Sequence, residues 1–312
     1  MHSPSKRIVI LGTGGTIAGR APNSGDNVGY RAGELSVDDL VAAVPPLRNL
    51  PIEAEQVAQV DSKDMSHAIW QQLALRIDHH QRREDVAGIV VTHGTDTLEE
   101  TAYFLHCVLL PGKPVVLTAA MRPATSLQAD GPQNLLDAVA VARTEGAVGV
   151  VVVMGGRAFA ADGLRKVDGY RIEAFEAGEG GPLGMIEEGR LRILRPWPVP
   201  LGRGGSWATA GAETWPRVAW ITSHAGIDPA LVPLLVEAGF DGIVVAGTGN
   251  GTLHTDLEQE LQRARAAGVA VRLTSRCTQG RVVGRSEFEL SAAAGPAQTR
   301  VELLLDLLQQ RN

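Results

Sequence analysis

The sequence predicts an α/β protein of two domains: a mostly parallel sheet flanked by helices in a larger N-terminal domain, and a smaller C-terminal Rossmann-like domain. Three observations carry this. Short runs rich in Val and Ile, bounded by Gly or Pro, recur along the chain and are apolar throughout, as strands covered on both faces must be. Helical patterns lie between them, so strand and helix alternate. The pattern then lapses over Arg195–Pro216, RPWPVPLGRGGSWATAGAETWP, which is dense in Pro, Gly and Trp and has no period. That stretch reads as a linker, and it sets the expected organisation: residues 1–195, a linker 196–215, and residues 216–312.

Taken in order, Arg7–Leu11 reads RIVIL and breaks at Gly12. Gly88–Thr92 (GIVVT), Pro114–Thr118 (PVVLT) and Val148–Met154 (VGVVVVM) have the same character, as do Val218–Thr222, Gly242–Ala246 and Val269–Thr274. Between these strands the apolar residues adopt helical spacing, over Val37–Ala43, Ser66–Ile77, Leu98–Leu109, Gly131–Arg143, Leu231–Ala238 and Leu257–Ala267. The chain shows no internal repeat.

The 312 residues are enough to bury a sizeable core. A net charge of −6 without a Lys/Arg-rich run speaks against nucleic acid or an anionic membrane as partner. No apolar run reaches the roughly 18 residues of a membrane helix. The apolar run after MHSPSKR is short, and no cleavage site follows it, so a cytoplasmic location is expected, or a periplasmic one if a signal was removed. Cys107 and Cys277 are expected to be two buried thiols, and no metal-type spacing exists. His79-His80 reads as a solvated helix end. No metal site is predicted.

In open α/β sheets, ligands bind beyond the carboxyl ends of the strands. After the first strand come Gly12-Thr13-Gly14-Gly15-Thr16, and after the Gly88 strand come Thr95 and Asp96. Ala119-Ala120-Met121-Arg122 follow the third strand, and Asp162 with Arg165-Lys166 follow the fourth. Hydroxyls, a carboxylate and a lysine therefore converge on one sheet edge. Thr97-x-x-Glu100, or Asp96-x-x-Glu99, also reads as a plain helix-capping signature. Thr95 lies just before that cap, where its hydroxyl can face a cleft. Threonine is a weak nucleophile without a base, and Lys166, crowded by Arg165, is the candidate.

Rival readings fail on spacing. Gly12-x-Gly14 lacks the third glycine of a dinucleotide loop, because Ile17 occupies that position. Gly247-Thr-Gly249-Asn-Gly251 lacks the acidic partner about 20 residues on. Gly204-Gly205-Ser206-Trp207-Ala208 approaches a hydrolase elbow, but no strand precedes it.

Two long stretches, LGTGGTIAG (Leu11–Gly19) and GIVVTHGTDTLEETAYFL from Gly88, resemble the two signatures of the bacterial-type L-asparaginase family, the asparaginase/glutaminase amidohydrolases. DSKDM (Asp61–Met65), LTAAMRPATSLQADGPQNL (Leu117–Leu135), GPLG (Gly181–Gly184) and AGTGNGTL (Ala246–Leu253) extend the likeness over nearly the whole chain. The resemblance implies hydrolysis of L-asparagine to aspartate and ammonia through a threonine acyl-enzyme, with glutaminase side activity and without a metal or organic cofactor. It implies a homotetramer of two intimate dimers, with the C-terminal domain completing a neighbour's site. By motif, Thr16 resembles the nucleophile on a lid loop and Tyr30 its supporting tyrosine. Thr95, Asp96 and Lys166 resemble the second threonine, the substrate-binding carboxylate and the lysine base. Ser62 and Asp96 would hold the substrate's carboxylate and ammonium, Ala120 would offer its carbonyl to the amide, and Glu287 would come from the neighbour. Lys63 stands where the family often has an uncharged amide or an acid; it either strengthens carboxylate binding or points to solvent. Thr252 replaces an asparagine found in some members. AADGLRK lacks the arginine-aspartate pair expected before the lysine.

Two other functions fit less well. The related amidotransferase subunit that feeds ammonia to a tRNA-bound substrate carries an extra N-terminal domain, whereas here the first signature begins at Leu11. An amino-acid-binding protein without chemistry would need a lesion at Thr16, Thr95 or Lys166, and none is seen.

Overall fold

The computed structural model describes residues 6–203, 206–211, 214–291, 293 and 295–311. The chain divides into two compact units, Met1–Arg203 and Gly204–Asn312. Gly204 and Gly205 of the elbow-like stretch lie outside the described residues.

The first unit contains β1 (Arg7–Gly14), α1 (Val37–Ala42), β2 (Ile52–Val60), α2 (His67–Gln81), β3 (Val86–Thr92), α3 (Leu98–Val108), β4 (Val115–Thr118), α4 (Gly131–Ala142) and β5 (Val150–Met154). The short strands β6 (Arg157–Ala160), β7 (Arg165–Lys166), β8 (Phe175–Glu176), β9 (Gly184–Glu187) and β10 (Arg190–Ile193) follow. Eight strands form one sheet in the order β10-β9-β6-β5-β4-β3-β1-β2. The five from β2 to β5 are parallel, and β6, β9 and β10 add an antiparallel flank. β7 and β8 pair only with each other.

The parallel strands are the apolar runs of the sequence, and burial explains why they could be read. Val150–Met154 and Val115–Thr118 are buried at every position. β2 was not anticipated because it reads IEAEQVAQV and buries only Val57 fully. It is the edge strand, one side faces water, and no apolar run marks it. Helix α4 shows why the pattern works: Leu135, Ala138, Val139 and Ala142 lie at i, i+3, i+4 and i+7 and are all buried. They join Ile10, Val90, Val116 and Val151 of the sheet in one core cluster. Each such large apolar side chain contributes about 1.5–3 kcal/mol.

The second unit contains α5 (Ser206–Thr209), β11 (Val218–Thr222), α6 (Leu231–Glu237), β12 (Gly242–Gly247), α7 (Thr255–Ala266), β13 (Ala270–Ser275), β14 (Glu289–Leu290) and α8 (Pro296–Gln310). Its four strands run in parallel, in the order β11-β12-β13-β14. Helix α8 packs on β11, β12 and β13. Helix α8 lies beyond the helical stretches expected from the sequence; Pro296 opens it, and Val301, Leu304, Leu305 and Leu308 form a buried helical stripe.

Two expectations are corrected. Cys107 is buried but Cys277 is exposed, on the loop after β13; both are free thiols. His80 is not a solvated residue. It is buried, with Nε2 2.8 Å from Glu55 and Nδ1 3.0 Å from Arg83, because its side of α2 turns toward the β2 edge. Among the described residues, no helix is long and apolar enough to cross a membrane.

One feature of the topology places the site. β1 has β2 on one side and β3 on the other. The connections from β1 and β3 therefore leave the sheet on opposite sides of a crevice at their carboxyl ends, the switch point where open α/β sheets bind ligands.

Candidate active site

The loops after β1 and β3 meet with almost no clearance. Gly15, with φ 80° and ψ −174°, occupies a region that is essentially reserved for glycine. A Cβ there would lie 2.7 Å from the His93 carbonyl carbon and closer still to the backbone of Gly94. A Cβ on Gly94 would in turn sit 2.5 Å from Ser62 Oγ. The loops that carry Thr16 and Thr95, the residues following these two glycines, can approach this closely because neither glycine has a side chain.

Thr16 begins a single turn of 3-10 helix, Thr16–Ala18, and is 7% exposed. Its Oγ1 lies 2.7 Å from the Tyr30 hydroxyl. Tyr30 ends an excursion whose base is closed by the bridge Arg20–Arg31. Polar contacts fasten this loop to the segment after β4: Thr125 Oγ1 accepts from Ala21 N at 2.9 Å, and Ser126 Oγ donates to Asn27 Oδ1 at 2.6 Å.

Thr95 is 5% exposed, while Asp96 is exposed. Lys166 on β7 brings its Nζ to 2.9 Å from Thr95 Oγ1 and 2.6 Å from Asp96 Oδ1. The Lys166 nitrogen thus bridges a hydroxyl and a carboxylate from adjacent residues. Arg165 and Lys166, as neighbours on a strand, point to opposite faces. Burial lowers the Arg165 pKa, and Glu99 opposes that.

Ser62 joins the same cluster from the turn after β2, where its Oγ accepts the Asp96 N–H at 3.2 Å. The helix-capping reading of Thr97 needs correction. Thr97 occupies the N-cap position of α3, but its side chain makes no capping bond. Its hydroxyl instead donates to the Ser62 carbonyl at 2.8 Å, so it ties two site loops together. Lys63 pairs with Asp61 at 2.6 Å and with Asp64 at 3.7 Å, and its side chain is 63% exposed.

Ala120 is fully buried in the turn after β4. That turn is clamped by groups the sequence reading did not single out. Asp130 accepts from the backbone N–H of Met121 and Arg122 at 3.0 and 2.9 Å, and Asn134 donates to the Ala119 carbonyl at 2.9 Å. Burial raises the Asp130 pKa, and the two backbone donors work against it. The available signal was Asp130-Gly131-Pro132 at the start of α4. Gly131 lets that helix approach both Ile17, beside Thr16, and Ala120.

Behind Thr95 lies a buried polar chain. Trp70 Nε1 can only donate, and it gives its proton to Thr101 Oγ1 at 2.8 Å. Thr101 then donates to His93 Nε2, 3.0 Å away, which leaves the ring proton on Nδ1 to donate to the Gly94 carbonyl at 2.7 Å. Burial pushes the His93 pKa down to about 4, so the ring is neutral at physiological pH.

Glu287 and Thr252 belong to the second unit. Gln262 Nε2 donates to the Glu287 carboxylate at 2.9 Å, and the hydroxyls of Thr252 and Thr248 lie 2.8 Å apart.

The family description "Asparaginase, N-terminal" matches residues 7–198, and "Glutaminase/Asparaginase C-terminal domain" matches residues 217–299. The chain is 36% identical to L-asparaginase 2 of Escherichia coli (strain K12), over 98% of this chain and 90% of that one. It is also 36% identical to a glutaminase-asparaginase of Pseudomonas fluorescens biotype A, over 89% and 78%. A crystal structure of a probable cytoplasmic L-asparaginase from Campylobacter jejuni superposes with a TM-score of 0.92 at 35% identity, covering 98% of this chain and 96% of that one. With both family patterns matched in order, and glycine-tight loops presenting a threonine from each signature, the chain belongs to the asparaginase/glutaminase family.

Proposed function

We propose that the protein hydrolyses L-asparagine to L-aspartate and ammonia, with L-glutamine as a poorer substrate. One observation carries the reading: Lys166 Nζ reaches both Thr95 Oγ1 and Asp96 Oδ1 at the switch point, next to the loop that presents the Thr16–Tyr30 pair. Threonine becomes a competent nucleophile only with a proton acceptor in reach.

In the proposed reaction, Thr16 Oγ attacks the side-chain amide carbon and its proton leaves along the bond to Tyr30. The C–N bond breaks, and nitrogen departs as ammonia with that proton. Water then attacks the resulting ester. Thr95 and the neutral form of Lys166 take a proton from that water, the acyl bond to Thr16 breaks, the same proton returns to Thr16 Oγ1, and aspartate leaves. Asp96 pairs with the substrate ammonium, and Ser62 donates to its carboxylate. Ala120 offers its carbonyl to the amide N–H, while Lys63 is held by Asp61 and Asp64 and faces solvent. These charges suit a zwitterion.

The same reading extends to the assembly. The second unit, from about residue 216, would complete the site of a neighbouring subunit with Glu287, in a homotetramer of two intimate dimers. Light scattering tests this part, and a monomer with full activity would reject it.

The deciding assay is ammonia release from L-asparagine and L-glutamine side by side, with Thr16→Ala as control. Release from asparagine that disappears in the variant supports both reaction and nucleophile. A folded protein that releases ammonia from neither would reject the proposal.

A further inference from the structure

We propose that Glu99 is a positioning residue: its carboxylate accepts the backbone N–H of Lys166 and so sets where the lysine stands relative to Thr95. The inference rests on the role given to Lys166 above.

The need for such a tie comes from the topology. Thr95 and Asp96 are fixed covalently between β3 and α3. Lys166 has no comparable anchor, because β7 contains two residues and pairs only with β8, through Arg165–Glu176 and Lys166–Phe175. That ribbon belongs to neither large sheet. A two-stranded ribbon is marginal on its own. Leu164, Ala174 and Phe175 are buried and hold the ribbon down. Apolar packing is non-directional, however, and does not determine how the Lys166 peptide is turned.

A directional contact does. Glu99 is the second residue of α3, three positions after Asp96. Its Oε2 accepts from Lys166 N at 2.6 Å. The lysine side chain then returns to Thr95 and Asp96. The result is a closed circuit: backbone from Thr95 to Glu99, hydrogen bond to the Lys166 peptide, side chain back to Thr95. Burial pushes the Glu99 carboxyl up to about 7, and the Lys166 N–H pulls against that shift. The position therefore gains its acceptor at a desolvation cost, which an incidental surface glutamate would not bear.

An acceptor oxygen, rather than a charge, is what the role requires, and this makes it testable. Glu99→Gln keeps an oxygen at that reach, Glu99→Asp withdraws it by one methylene, and Glu99→Leu removes it. Steady-state kinetics of ammonia release from L-asparagine would be measured for each, beside wild type and Lys166→Met, with thermal melts as a folding control. Misplacing a reacting group by about 1 Å costs about 100-fold in rate. Glu99→Leu should lose about that factor in kcat with KM little changed, Glu99→Asp about tenfold, and Glu99→Gln should stay near wild type. A folded Glu99→Leu with wild-type kcat would overturn the proposal. So would a Glu99→Gln as damaged as Glu99→Leu, or a loss confined to KM. If Glu99→Leu does not fold, a Glu99→Asp with wild-type kcat overturns it instead. Activity retained in Lys166→Met would strike the role of the lysine, whereas an inactive Lys166→Met beside a wild-type Glu99→Leu would strike this inference alone.

Discussion

Gly15→Ala should separate the two threonines, and the expected damage follows from the geometry. The backbone at Gly15, φ 80° and ψ −174°, costs a residue with a Cβ on the order of 1–3 kcal/mol. The new methyl would also lie 2.7 Å from the His93 carbonyl carbon and closer to Gly94, where ordinary contact begins at 3.4 Å. The atoms it meets are all backbone of His93 and Gly94, so one of the two loops must retreat by about 1 Å, and a displacement of that size at reacting groups costs about 100-fold in rate. Stability and rate are separated by a control. Gly146 also has positive φ, 75°, but nothing lies within 4 Å of its added Cβ, so Gly146→Ala carries backbone strain of about 1–2 kcal/mol without displacing anything. Thermal melts and kcat for ammonia release should show both variants melting a few degrees lower. Only Gly15→Ala should lose turnover, by about two orders of magnitude. A folded Gly15→Ala with wild-type kcat would refute the claim that the bare glycine contact sets the spacing of Thr16 and Thr95.

Three further outcomes are expected. Lys166→Met removes the nitrogen that lies 2.9 Å from Thr95 Oγ1, and should lower kcat by about 1000-fold, the scale of general acid–base catalysis; a loss below tenfold would assign the base elsewhere. Asp96→Ala should raise KM for L-asparagine at least about tenfold, because a charge-assisted bond contributes about 1.5–3 kcal/mol; an unchanged KM would remove Asp96 from ammonium binding. His93 is neutral when folded, with a pKa near 4 against 6.5 when free, so unfolding takes up a proton between these values. Its contribution is complete above pH 6.5 and is lost as pH falls toward 4, by about 2 kcal/mol at pH 5. Glu99, raised to about 7, gains stability over the same range, so the effect must be read as a difference in denaturant midpoint between wild type and His93→Gln at pH 7 and 5. Equal pH slopes in the two proteins would contradict the buried neutral ring.

Much of the site was legible because its parts are local. The two glycine-rich signatures follow apolar strands, and the position of a loop at a strand's carboxyl end can be read from the chain alone. What could not be read is whom each side chain meets. Thr97 has the spacing of a helix cap, but its hydroxyl is engaged by Ser62, 35 residues away. His80 looks like part of a solvated pair, yet it faces Glu55, 25 residues earlier on the preceding strand. β2 is polar enough to pass for loop because only the edge of a sheet makes such a strand possible.

The sequence by itself therefore determined most element types, the mostly parallel class of the sheet and the residues at the ends of its apolar strands, since these depend on period, propensity and short-range sterics. The tertiary structure alone decided that Lys166 stands at Thr95, 71 residues apart, and that Glu99 accepts the N–H of its peptide, 67 residues away. Such contacts depend on which strands are neighbours and how closely two loops approach, and no local pattern in a chain encodes either.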